Sequence, residues 1–158
     1  MMAENVCIAI AREDGGVSIM TILRADGDSP AAIAAEIEKW QSTSRVKAVG
    51  HWPIKEADIP PDRAFRDAWI HRGEERCVVD MEKARTIQMD RIRAARDAGL
   101  EVLDIPFMRA VEAGDDAKRA EIATAKQALR DLPQTIDLAK AQTPDELEAI
   151  WPEALPRR

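Results

Sequence analysis

The stretch from Asp80 to Leu132, DMEKARTIQMDRIRAARDAGLEVLDIPFMRAVEAGDDAKRAEIATAKQALRDL, constrains this chain more than any other. It reads as two or three helices separated by short breaks. Asp80 is placed to cap the first helix, which runs to about Ala98 or Leu103, with Gly99 a weak point in it. Asp104 followed by Pro106 predicts a helix restart, with Phe107, Met108 and Val111 apolar. Gly114-Asp115 breaks the pattern again, and Asp116 to Leu132 resumes it with Ile122, Ala125 and Leu129 in register until Pro133 ends it. Connections this short favour antiparallel packing of neighbouring helices.

The preceding residues alternate differently. Asn5 to Arg12 places Val6, Ile8 and Ile10 at period two, Glu13-Asp14-Gly15-Gly16 supplies a turn, and Val17 to Leu23 resumes the strand pattern, which predicts a β-hairpin. Arg24 to Asp28 is a polar loop. Ser29-Pro30 then opens a helix whose residues Ile33, Ala34, Ile37 and Trp40 share one face. Val46 to Ile54 predicts a third strand, and Ala57 to Arg63, with its two consecutive prolines, a boundary. Beyond it, Cys77 to Val79 is a short strand-like run that can pair with the segment around Trp69, across a polar loop, His71 to Arg76. Near the end, Thr143-Pro144-Asp145-Glu146 has capping-box spacing and precedes Leu147, Ile150 and Trp151. The expected fold is α+β: a small N-terminal β-sheet with one helix, followed by a C-terminal helical hairpin or short helical bundle. The expected division is a head over 1–57, a linker with short strands over 58–79, and a helical region with a docking tail over 80–158.

Composition narrows the functional classes. Apolar residues make up 46% of 158, enough for a real core, but many are alanines that bury little area each. A thin core of this kind is expected to be supplemented by a partner or by self-association, so a homo-oligomer stays open. The formal charge of −6 disfavours non-specific nucleic-acid binding. The arginines Arg85, Arg91, Arg93 and Arg96 interleave with Glu82, Asp90 and Asp97, which dilutes any phosphate footprint. No segment has membrane-spanning length or the pattern of a secretory leader, and the two cysteines lack a C-x-x-C partner, so a reducing intracellular setting without a membrane partner is expected.

Candidate chemistry is sparse. His51 and His71 have no second ligand at i+3 or i+4, so no metal site is expected. Cys7 or Cys77 paired with a histidine would make a nucleophile and base, but Cys7 sits in an apolar alternating strand, where cysteine acts as a small hydrophobe. The paired acids occupy turn and cap positions, and no phosphate-binding or nucleophile-elbow motif is present. The expectation is a non-enzyme with no catalytic residue and no cofactor. Trp52, Trp69 and Trp151 lie in or beside loops and prolines, where tryptophan can anchor an interface as well as fill a core.

From about residue 58 to 152 the chain resembles small proteins of tailed-phage and prophage tail modules, most closely the tail fibre assembly family of fibre chaperones. The resemblance is carried by Ile59-Pro60-Pro61-Asp62-Arg63, Phe65-Arg66-Asp67-Ala68-Trp69, Val79 to Arg85, Asp90 to Arg96, Lys126-Gln127-Ala128-Leu129-Arg130-Asp131 and Trp151-Pro152. It implies a protein that helps fold or assemble a tail fibre by binding the fibre protein in the host cell cytoplasm, with retention in the virion tail open. The contact residues it implies are Trp69, Phe107, Leu129, Arg130 and Trp151. A second reading is a phage-encoded inhibitor whose acidic balance suits the basic groove of a host defence complex.

Overall fold

The computed structural model describes residues 6–22, 29–71 and 77–157. The expected loop at Arg24 to Asp28 and most of the loop from His71 to Arg76 lie outside these residues. The chain is α+β and divides into two compact units, Met1–Asp80 and Met81–Arg158.

In the first unit, β1 (Val6–Arg12) is the centre of a three-stranded antiparallel sheet, with β2 (Val17–Ile22) on one side and β3 (Ala48–Ile54) on the other. The period-two pattern of β1 sends its two sets of side chains to opposite faces. Ile8 and Ile10, both fully buried, join Ile22, and Ile33, Ile37 and Trp40 of α1 (Pro30–Thr43) pack against them. Ala9 belongs to the other face, with Val17, Trp52, Ile54, Trp69 and Cys77. A small residue at Ala9 suits its neighbour, because its partner in β3 is Trp52. Ser29 caps α1 by accepting the Ala32 N–H at 3.2 Å, as its sequence position predicts.

The second face is covered by residues from 58–79, the segment read as a linker. Strand β4 (Trp69–His71) pairs antiparallel with β5 (Cys77–Val79), Trp69 opposite Val79, and this ribbon adds Trp69 and Cys77 to the core while Ile59 and Val79 pack at its margin. The predicted pairing of Cys77 to Val79 with the region of Trp69 is therefore present.

The second unit is built on α2 (Met81–Glu112), a single helix of 32 residues. It does not stop near Ala98 or restart at Asp104, because Gly99 and Pro106 both lie inside it. Pro106 removes the N–H that would bond to the carbonyl of Val102. Val102 is 73% exposed, so this turn faces solvent, where water can satisfy the freed carbonyl. Gly114, at φ 67°, closes the helix in a Schellman turn, with the Asp115 N–H donating to Ala110 O at 2.9 Å and the Gly114 N–H to Val111 O at 3.1 Å. Asp115 then caps α3 (Asp116–Thr135) by accepting the Lys118 N–H at 2.9 Å. Pro133 does not end α3, which runs two residues further. α2 and α3 pack together as the expected hairpin.

The tail folds back on α2 of its own chain. Arg85 donates from Nε to Leu138 O at 3.2 Å and from Nη2 to Ala141 O at 2.8 Å. Gln88, only 2% exposed, donates to Ile150 O at 3.0 Å. The predicted capping box closes at the start of α4 (Pro144–Ala149), with the Glu146 N–H donating to Thr143 Oγ1 at 3.2 Å and the Thr143 N–H donating to Glu146 Oε2 at 3.3 Å.

Gly99 tests this packing. A Cβ there would sit 3.4 Å from Leu129 Cδ1, ordinary contact, and the backbone is helical. Gly99→Ala is expected to stabilise the protein by about 0.5–1 kcal/mol through helix propensity. A thermal melt of the variant checks this, and a lowered midpoint would mean that α3 lies too close at Leu129 to admit a methyl group.

Candidate functional site

Four of the five residues implied as fibre contacts lie in the second unit, and Trp69 lies in the first. Trp69 is 5% exposed and belongs to the head core. Phe107 is half-buried on the α3 side of α2, where Lys126 reaches over its ring, with Nζ 5.4 Å from the centroid, and pairs with the Asp104 carboxylate. Leu129 is half-buried beside Gly99. Trp151 is half-buried and donates from Nε1 to Leu155 O at 3.1 Å, so its indole is engaged within the tail. Arg130 is exposed and has no ion-pair partner among the described residues. The large aromatics of the second unit are thus committed to holding the hairpin and the tail together.

The exposed apolar surface lies elsewhere on α2. Val102, Ile105, Met108 and Val111 are 73, 63, 55 and 43% exposed. At 100° per residue, Leu103, Phe107 and Ala110 gather on the side toward α3, and Ile105 and Met108 fall on the opposite side, with Val102 and Val111 flanking. Over 101–112 the only charges are Glu101, Asp104, Arg109 and Glu112. All four fall on the outward side, so Val102, Ile105, Met108 and Val111 form an i,i+3 apolar ridge bordered by charges, a surface that a partner can cover. The sequence held the signal, since eight of the ten residues of Val102–Val111 are apolar, more than one buried face can use. A helix start at Asp104 would place these residues in a different phase, whereas the continuous α2 turns Ile105 and Met108 outward.

The arginines of the proximal half of α2 are dispersed. Arg85 is spent on tail carbonyls, Arg93 pairs with Asp90 at 3.2 Å, and Arg96 pairs with Asp97 at 2.7 Å.

The first unit holds a cleft of about 350 Å³ at the β2 edge of its sheet. Arg12, Arg63, Arg66 and Asp67 line it, together with Ser18, Thr21 and Trp69. Arg12 is held in place by Asp14 Oδ1 at 3.0 Å and Ser18 Oγ at 3.4 Å. Two buried polar atoms of this unit, Trp69 Nε1 and Asp62 Oδ2, have no hydrogen-bond partner among the described residues.

His71 and Cys77 face each other across the β4–β5 ribbon, the one cysteine–histidine juxtaposition among the described residues that the strand register shows. His71 stacks against Trp52, with ring centroids 4.0 Å apart and planes tilted by 33°. Burial pushes the Cys77 thiol up to about 11, the opposite of what a thiolate nucleophile needs. Cys7 and Cys77 are both free, and among the described residues no group of three histidine, cysteine or acidic side chains is arranged to hold a metal ion. No helix among the described residues is long and apolar enough to cross a membrane. Comparison with protein-family models, with curated proteins and with solved structures returned no match.

The thiol yields a direct test. In the native protein at pH 8, Cys77 is expected to react with a thiol reagent at least about 100-fold more slowly than Cys7, and to become reactive on unfolding. The buried thiol stays protonated up to about 11, whereas in the unfolded chain it ionises near 9.0, so its contribution to stability is complete below pH 9 and is lost as pH rises through that interval. Labelling followed by peptide mass analysis measures the first effect and denaturant melts against pH the second.

Proposed function

We propose that this protein is a non-enzymatic phage or prophage tail protein that assists the folding or assembly of a tail fibre by binding the fibre polypeptide. The observation that supports this reading most is the outward apolar ridge of α2 at Val102, Ile105, Met108 and Val111. A fibre chain that has not yet trimerised exposes apolar surface, and a rigid helix face can cover it reversibly. Covering this ridge takes its four exposed apolar side chains out of water. Lys126, bridging Asp104 and Phe107 on the inner side, holds the outer face in a fixed orientation relative to α3. Arg130, exposed on α3, supplies a charge at the margin of the same unit. Phe107, Leu129 and Trp151 act in this reading by keeping the unit in shape, and Trp69 does the same for the head.

The test is capture of a co-expressed fibre polypeptide encoded beside this protein, using tagged protein. Ile105→Asp with Met108→Asp is expected to reduce capture at least about tenfold, since two desolvated apolar anchors are removed. Both side chains are more than half exposed, so the melting transition should move by less than about 0.5 kcal/mol. Undiminished capture by the folded double variant would contradict the assignment of this face. Recovery of a host nucleoprotein complex in place of fibre would instead favour the inhibitor reading.

A further inference from the structure

We propose that the cleft at the β2 edge of the first unit binds a small organic ligand through an oxyanion group, either phosphate or carboxylate. This inference does not rest on the fibre-binding reading, which concerns α2.

Three arginines from separate parts of the chain line this cleft: Arg12 from the end of β1, Arg63 from the loop after Pro61, and Arg66 from the single turn of 3₁₀-helix before β4. In a chain of net charge −6, such a convergence opposes the average electrostatics. Arg63 and Arg66 have no carboxylate partner within ion-pair distance among the described residues, although Asp67 also lines the cleft. Asp14 pairs with Arg12 and Asp67 offsets part of the remaining charge, which leaves a net positive lining that an anion neutralises.

Arg12 is pre-organised. The Asp14 carboxylate that accepts from Arg12 Nε also accepts the Gly16 N–H at 2.9 Å, so the turn and the guanidinium are tied to one oxygen. Gly16 is needed for this placement, because a Cβ there would lie 2.2 Å from Arg12 Nη2 and 2.8 Å from Cζ. A planar guanidinium fixed in this way is suited to bidentate contact with phosphate or carboxylate.

The cleft also contains neutral donors. Ser18 and Thr21 contribute hydroxyls, and Trp69, 5% exposed, has an indole N–H with no acceptor among the described residues. A buried donor without an acceptor is costly, and a ligand oxyanion supplies the missing acceptor. Apolar walls at Trp40 and Ile59 fit a ligand with a carbon body, and the volume of about 350 Å³ suits a small one.

The probes are inorganic pyrophosphate and citrate, titrated into the full-length protein by calorimetry, with sodium chloride matched for ionic strength. Saturable 1:1 binding of either probe is expected, and which one binds more tightly identifies the oxyanion. Arg63→Gln and Arg66→Gln should each weaken binding roughly tenfold, as expected for loss of one charge-assisted contact. Gly16→Ala should weaken it similarly, because it displaces Arg12 while leaving every charge in place. Lys118→Gln, on α3, should leave affinity unchanged. Melting curves confirm that each variant is folded, which is expected because Arg63 and Arg66 are exposed. Absence of binding by both probes up to about 10 mM would overturn the proposal, since affinities weaker than this are indistinguishable from general ion association. Binding that survives both arginine substitutions would overturn it equally.

Discussion

The structure depends on α2 remaining one helix through Gly99 and Pro106. Intrinsic propensity opposes this by about 1 kcal/mol for the glycine and about 3 kcal/mol for the proline. Packing along the rest of the helix offsets that cost. Ala84, Gln88, Ile92, Ala95 and Ala110 are all buried, on a side that both α3 and the tail use. Arg85 and Gln88 donate to three tail carbonyls, so the tail cannot leave without stranding a buried amide. Lys126 performs a comparable task further along, satisfying Asp104 and covering Phe107. A break in α2 would separate these two sets of contacts and let the tail and the hairpin tip move independently.

The first unit obeys a different constraint. Its central strand must serve two faces at once, and the alternation of isoleucine with alanine in β1 does so. The isoleucines pack toward α1, and the alanine side leaves room for Trp52 and Trp69. Covering the second face takes the β4–β5 ribbon, which is why residues that look like a linker contribute to the core. The arginine-lined cleft follows from the same arrangement, since β2 is the edge strand of the sheet and pairs with no second strand among the described residues.

Much of this was legible in the residues. Period-two alternation marked β1 and β2, Ser29-Pro30 marked the start of α1, and Gly114-Asp115 marked the turn between α2 and α3. Each of these is a local signal that tertiary packing leaves in force. Pro106 and Pro133 were misleading for the converse reason, because their local preference is weaker than the packing of the helices that contain them. The aromatic side chains were informative about mass but not about direction. Phe107 turns toward α3 and Trp151 bonds within the tail, whereas the outward surface consists of the aliphatic and thioether side chains of Val102, Ile105, Met108 and Val111. The convergence of Arg12, Arg63 and Arg66 could not be read from sequence, since more than fifty residues separate the first from the others.

Backbone chemical shifts together with amide hydrogen exchange over 96–112 test the central claim most directly. An unbroken α2 predicts helical Cα shifts through Gly99, Val102 and Phe107, with slowed exchange at Phe107 to Val111 comparable to that near Ile92. Coil shifts between Gly99 and Pro106, with fast exchange beyond them, would contradict it. In that case Val102 and Met108 would not share a rigid surface, and the apolar face proposed to bind the fibre would not exist as a unit.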